Sequence, residues 1–144
     1  MILLDTTILV YAVGTEHPLR QPCRSLLEWV RDGTVRATTT IEVVQEFAHV
    51  RARRRPQADA SARARDYAHG LAPLVRPEEA DLFAGLDLWE AACDLGPFDA
   101  VLAATALRRG WALASADRSF ERVPGLRHVD PARVTLEEIL DTGR

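Results

Sequence analysis

The chain begins with an apolar run, Ile2-Leu3-Leu4, that stops at an acid, Asp5. Thr6-Thr7-Ile8-Leu9-Val10-Tyr11-Ala12 then carries its apolar residues at helical spacing, which predicts a buried strand feeding a short helix with Asp5 at the junction. From Pro18 to Val30 the pattern is amphipathic, with Leu19, Leu26, Leu27 and Val30 on one side, and Asp32-Gly33 closes it as a turn. Thr34 to Thr38 predicts a second strand, and Thr39 or Thr40 can cap the helix that follows. On that helix Ile41, Val43, Val44, Phe47, Ala48 and Val50 fill one half of the wheel, and Glu42, Gln45, Glu46 and His49 fill the other.

Positive charge from Arg51 to Arg55 suits that helix's C-terminus. An alanine-rich helix is predicted over residues 59–70, punctuated by Gly70 and Pro73. Pro77-Glu78-Glu79 opens another, which runs on through Leu82, Phe83, Leu86, Trp89 and Ala92. Pro97 starts a helix that ends at Arg108-Arg109-Gly110, and short strands are predicted over 111–115 and 126–129. Thr135-x-x-Glu138 is a capping box for a last short helix. Strands of three to five residues alternating with helices give an α/β class with a mostly parallel sheet, in one domain spanning residues 1–144.

Composition narrows this picture only slightly. At 144 residues, 47% apolar and 27% charged, the chain is long enough to bury one core. Its apolar runs are far short of the roughly 20 residues a membrane helix needs, and its start lacks the basic region of a secretory signal, so a cytoplasmic protein is expected. Cys23 and Cys93 are isolated and read as small apolar side chains, without the spacing of a zinc site or a disulfide framework. Lysine and asparagine are absent, and all 18 basic residues other than histidine are arginine. Both missing residues have A-rich codons, so a GC-rich genome explains the bias and position must carry any argument about arginine.

The acids change the picture more. Asp5 follows the first strand, Asp117 follows the strand over 111–115, Asp99 lies in the first turn of a helix, and Glu46 borders the apolar face of another. Each has a local explanation as a cap, a dipole partner or a solvated residue. In a parallel sheet, however, ligands gather outside the carboxyl ends of the strands, where all four can converge. Clustered carboxylates must either hold protons or hold a cation, and an all-oxygen set without Cys or His suits Mg²⁺ or Mn²⁺. Such sites serve the attack of water on a phosphodiester.

Four blocks, "LLDTTILVYA", "TTTIEVVQEFAHV", "LGPFDAVLAATALRRG" and "LASADRSF", resemble in order and spacing the acidic blocks of PIN-domain ribonucleases. "FDAVLAATA" and "SADRSF" are most similar to the VapC-type toxins of bacterial toxin–antitoxin pairs. The resemblance implies a Rossmann-like short parallel sheet flanked by helices and Mg²⁺- or Mn²⁺-dependent endoribonuclease activity, with tRNA or other structured RNA as the substrate. It also implies a homodimer and a VapB-type antitoxin encoded alongside. Carried over, it makes Asp5, Glu46, Asp99 and Asp117 the catalytic and metal-binding quartet, with Thr6 and Ser115 as supporting hydroxyls. Glu42, one turn before Glu46, is the alternative acid on that helix.

Arg51, Arg53, Arg54 and Arg118 are the candidates for phosphate contact, because an acidic centre needs positive charge around it to hold a polyanion. His49 is not assigned a catalytic role. The competing reading is a catalytically silent module of the same fold that only binds and regulates. Aspartyl-phosphate chemistry fits less well, since Thr7 stands where a second Asp is usual and the chain has no lysine.

Overall fold

A computed structural model describes residues 1–91 and 94–142. In chain order the elements are β1 (Ile2–Leu4), α1 (Thr6–Val13), α2 (Arg20–Arg31), β2 (Ala37–Thr38), α3 (Ile41–Ala52), α4 (Gln57–Gly70), α5 (Glu79–Ala91) and α6 (Pro97–Arg109). They continue with β3 (Ala112–Ala114), a short 3₁₀ turn (Arg118–Arg122), β4 (His128–Val129) and α7 (Leu136–Thr142). The expected element types are all present among the described residues, with shorter strands and a longer alanine-rich helix. The expected positions Ala92 and Cys93 lie outside the described residues. No helix among the described residues is long and apolar enough to cross a membrane.

The sheet runs β2-β1-β3-β4 and is parallel throughout, so every connection is a crossover and the helices cover both faces. β1 and β3 occupy the middle, and all six of their residues are buried. This explains why both strands read as unbroken apolar runs and not as alternating ones. The chain leaves β1 toward β2 on one side and returns to β3 on the other. That reversal makes the carboxyl ends of the two central strands the switch point at which such sheets bind ligands. Leu4 pairs with Ala114, which places Asp5 and Ser115 at the same level on this edge.

Below the sheet edge, α1, α2, α3 and α6 supply the core, with Ile8, Leu9, Leu26, Val43, Phe47 and Leu102 buried against the strands. Cys23 is buried among them, and burial pushes its thiol up to about 12, so it stays protonated as an apolar filler. The capping box forms as expected: the Glu138 amide donates to Thr135 Oγ1, and the Thr135 amide donates to the Glu138 carboxylate at 2.8 Å.

The hairpin of α5 on α6 departs from the sequence pattern. Its residues Leu82, Phe83, Leu86 and Trp89 were the apolar signature of α5, yet they are 38–57% exposed. The buried face of α5 is formed instead by Asp81 and Gly85, one turn apart. Asp81 is fully buried and takes Arg108 at 2.6 Å and Arg109 at 3.1 Å from the last turn of α6, while accepting the Glu78 amide at 2.7 Å. Burial alone would raise its pKa; the amide and the two guanidinium groups outweigh that and hold the carboxyl below its ordinary range. Gly85 then lets the helix backbones approach.

A Cβ placed on Gly85 would lie 2.5 Å from the Cα of Val101, a backbone atom that cannot swing aside. Gly85→Ala gains about 1 kcal/mol of helix propensity. It is nevertheless expected to destabilise the chain by about 1–3 kcal/mol net, because α5 must move off α6. Urea unfolding of the two proteins measures this, and equal or greater stability of the variant would contradict the close packing of the hairpin.

Candidate active site

Asp5, the residue after β1, is 3% exposed, so its charge needs partners. It caps α1, and a single oxygen, Oδ2, takes the donors: the Thr7 amide at 3.4 Å, Thr7 Oγ1 at 2.8 Å and Ser115 Oγ at 2.7 Å. The two hydroxyls are themselves held, Thr7 Oγ1 by the Ala116 amide and Ser115 Oγ by the Asp117 amide, both at 2.9 Å. None of the described hydrogen bonds reaches Oδ1. The network therefore fixes the carboxylate by one oxygen.

The remaining acids reach the same edge from different elements. Glu46 projects from α3, where its Oε2 accepts the Thr6 hydroxyl of α1. Asp99 is half-buried in the first turn of α6, where Gly96 is the N-cap and Pro97 the first helical residue. Asp117 caps the 3₁₀ turn, with Oδ1 accepting the Ser119 amide at 2.8 Å. Local capping at Asp5 and Asp117 is thus real, and it is compatible with a second role because each cap engages one carboxylate oxygen.

Asp99 reports the assembly of the cluster. Burial, followed by the charges of Asp5, Glu46 and Asp117, pushes its carboxyl up to about 7. The cluster without a cation therefore holds a proton on Asp99 more tightly than an ordinary carboxylate would. Glu42, one turn earlier on α3, is exposed and is not among the charges acting on Asp99. It lies on the rim of a groove with Pro97 and Phe98 instead.

Among the described residues, no three Asp, Glu, His or Cys side chains are drawn into a ready-made metal cage. A small hard cation does not require one. Mg²⁺ is usually held by one or two carboxylates while keeping several waters. The donor set fits such an ion: all oxygen, highly charged, with protons retained where a cation would otherwise neutralise the repulsion. Asp5, Glu46, Asp99 and Asp117 are the residues that could hold it.

The arginines divide into two groups. Arg51 is 13% exposed and committed to the scaffold, pairing with Asp59 of α4 at 2.5 Å and donating to the Val13 carbonyl of α1 at 3.2 Å. Arg118 forms a fork with Glu121, at 3.1 and 3.2 Å. Both therefore have a carboxylate partner within the chain. Arg53 and Arg54 are exposed, with Arg53 Nη2 lying 3.3 Å from His49 Nε2. Thr7 is the site residue the sequence reading missed; its only signal was a hydroxyl two residues after an acid at a strand end.

Comparison with known proteins agrees with this arrangement. A family model described as the PIN domain matches residues 2–126. The chain is 47% identical over 142 residues to ribonuclease VapC7 of Mycobacterium tuberculosis, covering 97% of this chain and 98% of that protein. It is 34% identical over 133 residues to ribonuclease VapC13 of the same species, covering 90% and 99%. In fold it is similar to a crystal structure of VapBC2 from Rickettsia felis bound to a promoter DNA fragment, with a TM-score of 0.72 at 18% identity, covering 90% of this chain and 98% of that one. It is also similar to FitAcB from Neisseria gonorrhoeae, with a TM-score of 0.70 at 16% identity, covering 93% and 100%.

The raised pKa of Asp99 fixes the sign of a stability effect. A carboxyl that holds its proton more tightly folded than unfolded contributes fully below the unfolded value near 3.8, and this contribution is lost as pH rises through about 7. In metal-free buffer Asp99→Asn is therefore expected to melt higher than the native chain at pH 8, with the gap closing toward pH 4. A gap independent of pH would argue against a coupled acid cluster. Thr7→Val, which removes a donor to Asp5 and an acceptor for Ala116, is expected to lower stability by about 1–2 kcal/mol in denaturant titrations. Thr7→Ser should recover most of it.

Proposed function

Because the chain belongs to the PIN-domain family, we propose that it is the endoribonuclease toxin of a VapBC-type toxin–antitoxin pair, hydrolysing RNA phosphodiesters with Mg²⁺ or Mn²⁺ held by its acidic cluster. The observation that supports this most directly is Asp99, whose carboxyl is pushed up to about 7 by burial and by three acids contributed from three other parts of the chain. Four carboxylates brought into mutual repulsion at one sheet edge have no structural use that fewer would not serve. The similarity to the VapC ribonucleases over nearly the whole chain supports the same chemistry.

In this mechanism a bound divalent cation supplies polarisation of the phosphodiester and of the attacking water. The chain's own contribution is orientation. Thr7 and Ser115 hold Asp5 by one oxygen, Thr6 holds Glu46, and the first turn of α6 carries Asp99 into the cluster. Asp5, Glu46 and Asp117 are each held by a donor before substrate arrives, so less reorganisation remains for the reaction itself. No histidine is assigned as a base. Arg53 and Arg54 supply positive charge for the RNA backbone.

The partner is a VapB-type antitoxin, and similarity to solved VapBC assemblies supports it. A homodimer and a cytoplasmic location complete the proposal. Structured RNA, tRNA in particular, is the proposed substrate class.

The direct test is incubation of total cellular RNA with purified, antitoxin-free protein in Mg²⁺, Mn²⁺ or EDTA, beside Asp5→Ala and Asp99→Ala. Discrete fragments are expected with metal, none with EDTA, and rates lower by roughly 10²-fold or more in both variants. Thermal melts of both variants separate loss of activity from loss of fold. Failure of the folded native chain to cut RNA, with antitoxin binding intact in all three proteins, would favour a silent binding module.

A further inference from the structure

His128, on the edge strand β4, takes no part in the site as described so far, yet its ring reaches the backbone from which Ser115 holds Asp5. Its Nε2 lies 2.8 Å from the Ser115 carbonyl oxygen. A carbonyl only accepts, so Nε2 carries the proton and donates it.

The sheet pattern explains why a side chain is needed there. β3 and β4 run parallel, with Leu113 opposite His128 and Ala114 opposite Val129. Along this pair the Leu113 amide donates to the Arg127 carbonyl at 2.9 Å and the Ser115 amide to the Val129 carbonyl at 3.1 Å. The next rung would run from the amide of residue 131 to the Ser115 carbonyl. Residue 131 is a proline, which has no amide hydrogen to give. Ser115 is fully buried, so its carbonyl needs a donor from within the protein. His128, two rungs back on the same strand, supplies it.

The consequence falls on the acids. The Ser115–Ala116 peptide is gripped at both poles by side chains: His128 on its carbonyl, and Thr7 Oγ1 on the Ala116 amide at 2.9 Å. Held at one pole only, the plane could turn about the other. Ser115 Oγ would turn with it, and that hydroxyl donates to Asp5 at 2.7 Å while accepting the Asp117 amide at 2.9 Å. The His128 ring also faces Phe120, with centroids 6.1 Å apart, and Phe120 is the buried residue of the 3₁₀ turn that Asp117 caps. One half-buried ring thus braces both segments that bear on these two acids.

Resting on the ribonuclease reading above, we infer that His128 is a positioning residue for the acidic edge: its Nε2–H replaces the rung that Pro131 cannot form, locks the Ser115 peptide, and so fixes Asp5 and Asp117 relative to each other for a divalent cation. None of the described hydrogen bonds joins His128 to an acid of the cluster, so it acts through Ser115. It belongs to the outer layer of contacts that sets the orientation of metal-holding groups without touching the metal.

The deciding measurement is Mn²⁺ binding to the purified chain without RNA, read from the EPR signal of the free ion. His128→Phe keeps a ring against Phe120 and removes the donor, whereas His128→Gln keeps an N–H donor of similar reach. The Phe variant is expected to bind Mn²⁺ about tenfold more weakly and, at a Mn²⁺ concentration near the native Kd, to cut RNA about tenfold more slowly with KM for RNA unchanged. The Gln variant is expected to recover most of both losses. Should His128→Phe fail to fold, His128→Asn replaces it, because its amide nitrogen falls short of the Nε2 position; the same losses are expected. Equal losses in the Phe and Gln variants would overturn the assignment, since the donor would then not be what matters. Native Mn²⁺ affinity and cleavage in the Phe variant would overturn it as well, leaving His128 a packing residue and the ribonuclease reading intact. A native chain that neither binds Mn²⁺ nor cuts RNA would overturn the ribonuclease reading and this assignment with it.

Discussion

Repulsion among carboxylates at the edge of a four-stranded sheet governs the structure around it. Asp5, Glu46, Asp99 and Asp117 would each be more stable apart. What holds them together is a set of neutral donors: Thr7 and Ser115 on Asp5, Thr6 on Glu46, and the Ser119 amide on Asp117. Neutral donors orient a carboxylate without cancelling its charge. An arginine in the same place would have satisfied the acid and removed its capacity to hold a cation. The guanidinium groups are accordingly spent elsewhere, on Asp81 and Asp59.

The same division separates two kinds of buried acid in one small protein. Asp81 is fully buried and held below its ordinary range by two arginines and an amide. Asp99 is less buried and is raised to about 7, because burial and its like-charged neighbours act in the same direction. Asp81 ties the start of α5 to the end of α6, and Asp99 sits at the opposite end of α6. One helix thus carries an electrostatic anchor at one terminus and the reactive cluster's acid at the other.

Much of this was legible in the sequence. Asp5, Asp99 and Asp117 stood at strand ends or in a helix first turn, where apolar patterning and turn residues mark the boundary, and the pattern of α3 distinguished Glu46 from Glu42 by its position at the edge of the apolar face. The parallel sheet followed from short apolar runs separated by helices. Other features depended on partners far away in the chain. Asp81 read as an ordinary first-turn acid after Glu78 and Glu79, and nothing local announced guanidinium groups 27 and 28 residues later. The apolar periodicity of α5 was read correctly as a helix. Gly85, however, makes the small-residue side the packing side and turns Leu82, Phe83, Leu86 and Trp89 outward. Thr7 was overlooked because a threonine beside a cap is common, and its value lies in Ala116 and Ser115, more than a hundred residues away.

The central pairing of β1 with β3 joins the first few residues to residues 112–114. Such a contact is slow to form, and during synthesis it waits for residues 112–114 to leave the ribosome. Asp5 and Ser115, which holds it in place, are 110 residues apart in the chain. The acidic edge is therefore a property of the closed β1–β3 pairing and of no shorter segment: the acids stay apart until the sheet brings them together.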